Sequence, residues 1–529
     1  MMKDVMADGL AAGWLHTDAS TLEKDEHLEA DFVVIGTGAG GGIAAEQLTL
    51  AGHRVILVEE GPLRTTRQFK SDERVAYGEL YQEAAARKTK DKAINILQGR
   101  CVGGGTTVNW TSSFETPDNT LKHWQQAHGV KGCSPEEMAP WFTRARERLN
   151  ILAWEVPPNP NNAALQRGAE KLGWSFGVMN RNVTGCGNLG YCGMGCPIEA
   201  KQSMLVTTIA ASLAGGARLL SRARAQKFEW KNGRITGLVC QSLDGEYGVK
   251  PTGKKVTIKA GQYVLSAGAI GSPALLMRSE APDPNQLVGR RTFLHPVAVA
   301  TGIMDEPVNG FFGAPQSIYT DQFMWWDGVT GKMGFKIEVP PLHPLLTSTV
   351  LGGHGSQHLG HMKQFANTQA MLCLGRDGFH EESRGGTVRL KGDGTPLLDY
   401  PLNGYIMEGL RKAYKDMIEV QFAAGVKEAM PMHRDVAQPY KSWAEAKSAL
   451  DGLDMRPLQA KIFSAHVMGG CPLGEDPENS VVSSTGQHHQ LENLTVLDGS
   501  VFPTSIGSNP QLSIYGMTLK NVTALMARV

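Results

Sequence analysis

A chain of 529 residues is too long for a single core and predicts two or three domains. Lysine plus arginine and aspartate plus glutamate each number 52, so no net charge steers it toward nucleic acid or an anionic surface. No apolar run reaches the roughly 18–20 residues a bilayer span needs, and residues 1–10 are mixed and acidic, unlike a signal peptide.

Residues 1–28 read as a leader strapped to the surface. Asp31-Phe-Val-Val-Ile-Gly-Thr-Gly-Ala-Gly-Gly-Gly-Ile43 then runs an apolar strand into a glycine turn. Gly36, Gly38 and Gly41 fill the glycine positions of GxGxxG. They permit a tight turn, backbone approach to a pyrophosphate and close packing of helix on strand. A helix over residues 42–51 would aim its first amides at the phosphates. The strand at 54–59 ends in Glu59, placed to accept from a ribose hydroxyl. Strand, turn, helix, strand and acid in this order specify a dinucleotide site, with NAD and FAD both open.

Residues 67–91 are charged and helix-like, with little core signal. A second glycine cluster follows, Gly99-Arg-Cys-Val-Gly-Gly-Gly-Thr-Thr-Val-Asn109, with no long aliphatic strand before it. Three consecutive glycines let backbone pass against a flat ring system. Residues 141–152 have amphipathic spacing, and Pro157-Pro-Asn-Pro-Asn-Asn162 reads as a polar break. Strand-like runs return at 218–222, 235–240 and 255–259, and residues 263–277 read as a buried strand, a small-residue turn and a helix. From about 300 to 460 irregular strands rich in Met, Trp, His and Pro surround a long helix around 406–422. The expected fold is α/β (α+β overall). A Rossmann-like nucleotide-binding domain (29–115, 197–300 and 461–529) carries an inserted antiparallel-sheet substrate domain (116–196 and 301–460).

Near the C-terminus stand Ser464-Ala-His-Val-Met-Gly-Gly-Cys-Pro-Leu-Gly474 and Val496-Leu-Asp-Gly-Ser-Val-Phe-Pro-Thr-Ser-Ile-Gly-Ser-Asn-Pro510. With Ala267-Gly-Ala-Ile-Gly-Ser-Pro273 and the two glycine clusters, these motifs come in one recognisable order. The chain resembles the glucose–methanol–choline (GMC) oxidoreductases over nearly its whole length, nearest the long-chain fatty alcohol oxidase and dehydrogenase branch. The resemblance implies FAD rather than NAD. It implies Glu59 at the adenosine ribose and Arg100, Gly103, Gly104, Gly105, Thr106 and Asn109 along the flavin and pyrophosphate. Ala267 and Gly268 join the cofactor wall, with Asp498 and Gly499 near the flavin end.

It also implies His466 as catalytic base. Alcohol oxidation removes the hydroxyl proton while the carbinol hydride leaves, and histidine titrates near working pH. Asn509 matches the second active-site position, where an amide can hold the substrate oxygen. His488 and His489 lie in a polar turn and read as solvent-facing. Some relatives attach FAD through a histidine just before the asparagine of the second glycine cluster; here that place is Val108, so noncovalent FAD is expected.

Eight cysteines do not make a secreted disulfide framework, but Cys186, Cys192 and Cys196 form a C-x5-C-x3-C run ending in Cys-Pro. The residues leave an iron–sulfur cluster, a structural thiol loop, a disulfide and zinc all open. The run resembles the three-iron loop of membrane-linked sugar dehydrogenases of this family. Cys101, Cys133, Cys240, Cys373 and Cys471 read as small buried residues.

The function expected is FAD-dependent oxidation of an alcohol, favouring long-chain primary alcohols. The apolar residues Phe311, Phe312, Phe323, Met324, Trp325, Trp326 and Met333 are candidates for the pocket or for plain core. A sugar dehydrogenase subunit and a redox-inactive hydroxynitrile lyase are the alternatives. No haem motif is present, so electrons would pass to oxygen, a quinone or a cytochrome. Any membrane link or export would come through a partner chain, leaving cytoplasm and periplasm open.

Overall fold

The structure is a computed structural model that describes residues 3–245 and 248–529. Its largest sheet has seven strands in the order β1-β4-β3-β2-β7-β6-β5 and an eighth off that path. They are β1 (Leu15–Asp18), β2 (Glu26–Ile35), β3 (Val55–Val58), β4 (Arg218–Ser221), β5 (Ala223–Lys231), β6 (Arg234–Leu243) and β7 (Pro251–Leu265). The eighth, Leu494–Val496, lies parallel to the end of β7, Tyr263 opposite Leu494. β1, β4, β3, β2 and β7 run parallel, with Phe32 opposite Val55 and Ile35 opposite Val58. β6 and β5 complete the edge as antiparallel strands. Residues 32–35 and 55–58 are buried without alternation, as in a sheet covered on both faces. Helix α1 (Ala39–Leu50) covers one face immediately after the glycine turn.

The N-terminal residues are more than a strap. Met6 is fully buried, and β1 forms the edge of the main sheet. The main sheet therefore takes strands from the leader, two central segments and the C-terminal region.

A six-stranded antiparallel sheet stands beside it. Its strands include β8 (Val299–Ile303), β9 (Ile318–Thr320), β10 (Phe335–Glu338), β11 (Thr368–Gly375) and β12 (Glu428–Pro431). Alternation along β8 and β11 splits this sheet into two chemistries. Ala298, Ala300, Met371 and Cys373 enter a core with Leu410 and Met417 of the long helix α3 (Gly404–Ala424). Val297, Val299, Leu372 and Leu374 turn to the opposite face and form a smaller apolar cluster with Leu342 and Met432. Helix α2 (Pro344–Val350) lies over that second face. The last helix, α4 (Gln511–Met526), returns to pack on α1.

Two readings of the middle sequence change. The asparagines of the polar break start a helix, Pro160–Leu172: Asn159 caps it by accepting from the Asn162 amide. Asn161 and Asn162 are buried, with Asn161 Nδ2 donating to the Pro340 carbonyl. The charged stretch 67–91 also carries core, since Ala76, Tyr77, Leu80 and Tyr81 pack with Val108 and Met194. Among the described residues no helix is long and apolar enough to cross a membrane.

Candidate functional site

A cavity of about 600 Å³ runs from the first glycine turn past His466 and Asn509 to the apolar face of the second sheet. Gly36 opens it at φ +96°, a conformation that favours glycine, and a Cβ there would lie 2.2 Å from the Ser266 carbonyl oxygen. Gly104, at φ +53°, faces Gly38 across the cavity wall, where a Cβ on Gly104 would sit 2.8 Å from the Gly38 Cα. The two glycine clusters are thus one cradle made of bare backbone.

Glu59 holds that cradle together. Its Oε2 accepts from the Thr37 amide at 3.2 Å and hydroxyl at 2.6 Å, and its Oε1 accepts from the Gly61 amide at 2.8 Å. The Thr37 hydroxyl in turn accepts from the Gly103 amide at 3.0 Å. Burial raises the Glu59 carboxyl above its usual range. Glu60, beside it, accepts from Arg100 Nε at 2.7 Å and Arg224 Nη2 at 3.1 Å. Burial works to raise its carboxyl, but the two guanidinium groups win and lower it to about 2. Arg100 also donates to the Gly248 carbonyl.

Asp498 ties the C-terminal motif to the same wall. It accepts from the Gly268 amide at 2.8 Å, the Ser272 hydroxyl at 2.6 Å and the Ser500 amide at 2.8 Å. Ala267, Gly268, Arg100, Gly105, Thr106 and Asn109 border the cavity, whereas Gly41, Gly103 and Gly499 pack behind it. Asn109 Nδ2 donates to Gln511 Oε1 at 2.7 Å, joining the second glycine cluster to α4. Lys201 braces the cluster from beneath, donating to the carbonyls of Thr107, Asn109 and Cys192 at 2.7, 2.8 and 2.6 Å. Burial lowers its ammonium to about 8.

His466 and Asn509 border one cavity. Burial, and then the Lys336 ammonium, lower His466 to about 4, so its imidazole is neutral at physiological pH. Its Nδ1 lies 3.3 Å from Nδ1 of His295, a fully buried residue. Asn509 Nδ2 donates to Glu338 Oε2 at 3.2 Å, while its Oδ1 is buried with no partner among the described residues. A carboxylate accepts only, so this contact fixes the orientation of the amide and engages one of its two N–H donors. The second N–H remains for another acceptor.

Other expectations also change. His488 is buried, with Nδ1 accepting from the Gln490 amide, and is not solvent-facing; His489 is half-buried against Ser480. None of Phe311, Phe312, Phe323, Met324, Trp325, Trp326 or Met333 borders the cavity. Phe311 and Phe312 are 41% and 55% exposed, and Phe323 stacks on Phe335. The pocket's apolar wall includes Val297, Val299, Leu372 and Leu374, which alternation along β8 and β11 selects, with Met432 and Phe463 beside them. The cysteine run does not assemble either. Cys192 Sγ accepts from Arg181 Nη2 and Cys196 Sγ from the Lys201 amide, while Cys186 is half-buried. Among the described residues no three His, Cys, Asp or Glu side chains come together as a metal site. The three-iron expectation finds no support in this geometry.

Sequence reasoning passed over Thr37, Glu60, Lys201, His295 and Glu338. Thr37 alone carried a signal, a hydroxyl between two glycines of the turn.

Family models of the GMC oxidoreductases match residues 77–297 and 381–518. An uncharacterised GMC-type oxidoreductase, y4nJ of Sinorhizobium fredii, is 30% identical over 516 residues, 96% of each chain. Long-chain-alcohol oxidase FAO4B of Arabidopsis thaliana is 29% identical over 513 residues, 92% of this chain and 66% of that one. Among solved structures, an Aspergillus oryzae formate oxidase variant superposes with a TM-score of 0.71 at 13% identity, covering 96% of this chain and 99% of its own. Pyridoxine 4-oxidase from Mesorbium loti gives 0.66 at 17% identity, with 94% and 99% covered. These structures speak to the fold alone. The family indicates FAD, and the facing glycines, with no side chain to fill the cradle between them, fit such a group. The chain belongs to the GMC oxidoreductase family.

Proposed function

We propose that this enzyme oxidises primary alcohols of long apolar chain to the aldehyde, with noncovalent FAD. The observation that carries this reading is the continuity of the cavity, from the glycine cradle past His466 and Asn509 to the apolar wall on β8 and β11. FAD, when bound, accepts the carbinol hydride. His466, in the tautomer that leaves Nε2 unprotonated, takes the hydroxyl proton, an Asn509 N–H orients the hydroxyl oxygen, and the wall of Val299, Leu372 and Leu374 takes the alkyl chain. The Arabidopsis relatives named long-chain-alcohol oxidases support that substrate class. Val108, buried beside the cavity, supplies no nucleophile for a flavin linkage.

Anaerobic mixing with dodecanol tests the reading. The absorbance near 450 nm, roughly where oxidised flavins absorb, should bleach with dodecanol and stay unchanged with glucose. Bleaching by glucose in place of dodecanol would favour a sugar dehydrogenase, and no bleaching by any alcohol would favour a lyase. Flavin should leave the protein on acid precipitation; flavin that stays with the denatured chain sinks the noncovalent assignment. Reoxidation assays with oxygen, a quinone and a cytochrome then identify the electron acceptor.

A further inference from the structure

His295 carries backbone strain and a defined pair of partners. Its φ of +47° is unusual for a side-chain-bearing residue, and such strain persists only where the surroundings impose it. Here the buried Asp377 imposes it, accepting from the Leu294 amide at 3.0 Å and the His295 amide at 3.1 Å. Tyr400 donates to the same carboxylate at 2.7 Å, and Ser505 Oγ donates to the Asp377 carbonyl at 2.6 Å. The strained turn is thereby pinned to the segment that carries Asn509.

The ring contacts then assign protons. The Gly507 backbone N–H donates to His295 Nε2 at 3.0 Å, and an amide has no other role to play. Neutral His295 must therefore carry its proton on Nδ1. That proton faces His466 Nδ1 at 3.3 Å, so His466 Nδ1 accepts and the remaining His466 proton sits on Nε2. We propose that His295 is a positioning residue that sets the tautomer of His466, holding it in the resting enzyme as an Nε2–H donor. To act as base, His466 must first free Nε2 of that proton, and His295 opposes the exchange because two N–H groups would then meet head on.

The charged and titratable groups around the pair are few. The Lys336 ammonium acts on both rings, and Glu338 lies 3.9 Å from Lys336 Nζ. Asp377 meets His295 through its backbone amide. Burial, then His466 and Lys336, hold His295 well below the ordinary histidine range, so it stays neutral and its tautomer stays defined.

The test uses FAD-loaded enzyme labelled with 15N-histidine, with His466 assigned by its loss in His466→Gln. Two variants share one shape, and both tolerate positive φ. His295→Asn keeps an N–H facing His466 Nδ1, and His295→Asp presents only acceptors. The 15N shifts should show the Nε2–H tautomer in the unmodified enzyme and in His295→Asn. His295→Asp should move the proton to Nδ1 and raise the pH at which His466 titrates by about one unit or more, the usual effect of an adjacent carboxylate. An Nδ1–H tautomer in the unmodified enzyme overturns the proposal. So does a His295→Asp variant whose His466 shifts and titration match the unmodified enzyme. Because the readout is spectroscopic, it stands apart from whether the enzyme oxidises dodecanol.

Discussion

The two ends of the cavity are built on opposite plans. At the nucleotide end the wall is backbone: Gly36, Gly38 and Gly104 supply space, and Glu59, Thr37 and Gly103 lock the turns into one piece. At the catalytic end the wall is side chains, with His466 backed by His295 and Asn509 backed by Glu338. On the proposed function, the first end recognises shape and phosphate charge, for which amides and absent side chains suffice. The second then places single protons, which requires partners of fixed polarity behind His466 and Asn509.

The nucleotide end should therefore fail through sterics. Gly36→Ala puts a methyl 2.2 Å from the Ser266 carbonyl oxygen at φ +96°. The backbone conformation alone costs about 1 kcal/mol and the clash more. The purified variant should carry almost no flavin, read as the ratio of absorbance near 450 nm to that near 280 nm. Normal flavin content would show that the turn does not cradle the cofactor.

The catalytic end should fail in chemistry while binding survives. His466→Ala is expected to keep FAD yet slow alcohol-driven flavin reduction roughly a hundredfold or more, a general-base magnitude. Stopped-flow at the unmodified rate would remove His466 from the reaction. Asn509→Ala should slow the same step less, about tenfold, because it deletes one hydrogen bond. Glu338→Gln sharpens this further, since a glutamine can donate to Asn509 and turn its amide around. If Glu338→Gln reduces flavin as fast as the unmodified enzyme, the orientation of Asn509 carries no weight.

Legibility in the sequence follows the same division. The β2–turn–α1–β3 unit was readable because its contacts are local: glycine spacing, an apolar strand and Glu59 all fall within residues 31–59. His466 and Asn509 were readable only through resemblance. Their supports were not, because His295, Glu338 and Asp377 join segments about 80 to 210 residues apart that no local spacing records. The choice between pocket and core for the stripe at residues 311–333 was not legible for a related reason. Aromatic content marks apolar character, but which face of a sheet meets the cavity is set by β8–β11 pairing, and Val299 and Leu372 sit directly opposite one another there.

The smallest effect expected lies where the backbone-built end borrows a side-chain device. Glu60, bound by Arg100 and Arg224, has its carboxyl lowered to about 2. A carboxyl whose folded value lies below its unfolded value contributes stability that is present above the unfolded value and lost as pH falls through the folded one. The window here runs from roughly pH 4.3, the ordinary glutamate value, down to about 2. Glu60 is 31% exposed, so solvent screening discounts the full shift. Glu60→Gln should cost about 1–2 kcal/mol near pH 7, and the gap to the unmodified protein should close as pH falls through that window. Urea unfolding near pH 7, near pH 4 and near pH 3 measures it. A gap that stays constant down to about pH 3 would mean that Glu60 acts through packing and not through its charge, and would leave the nucleotide end a purely steric construction.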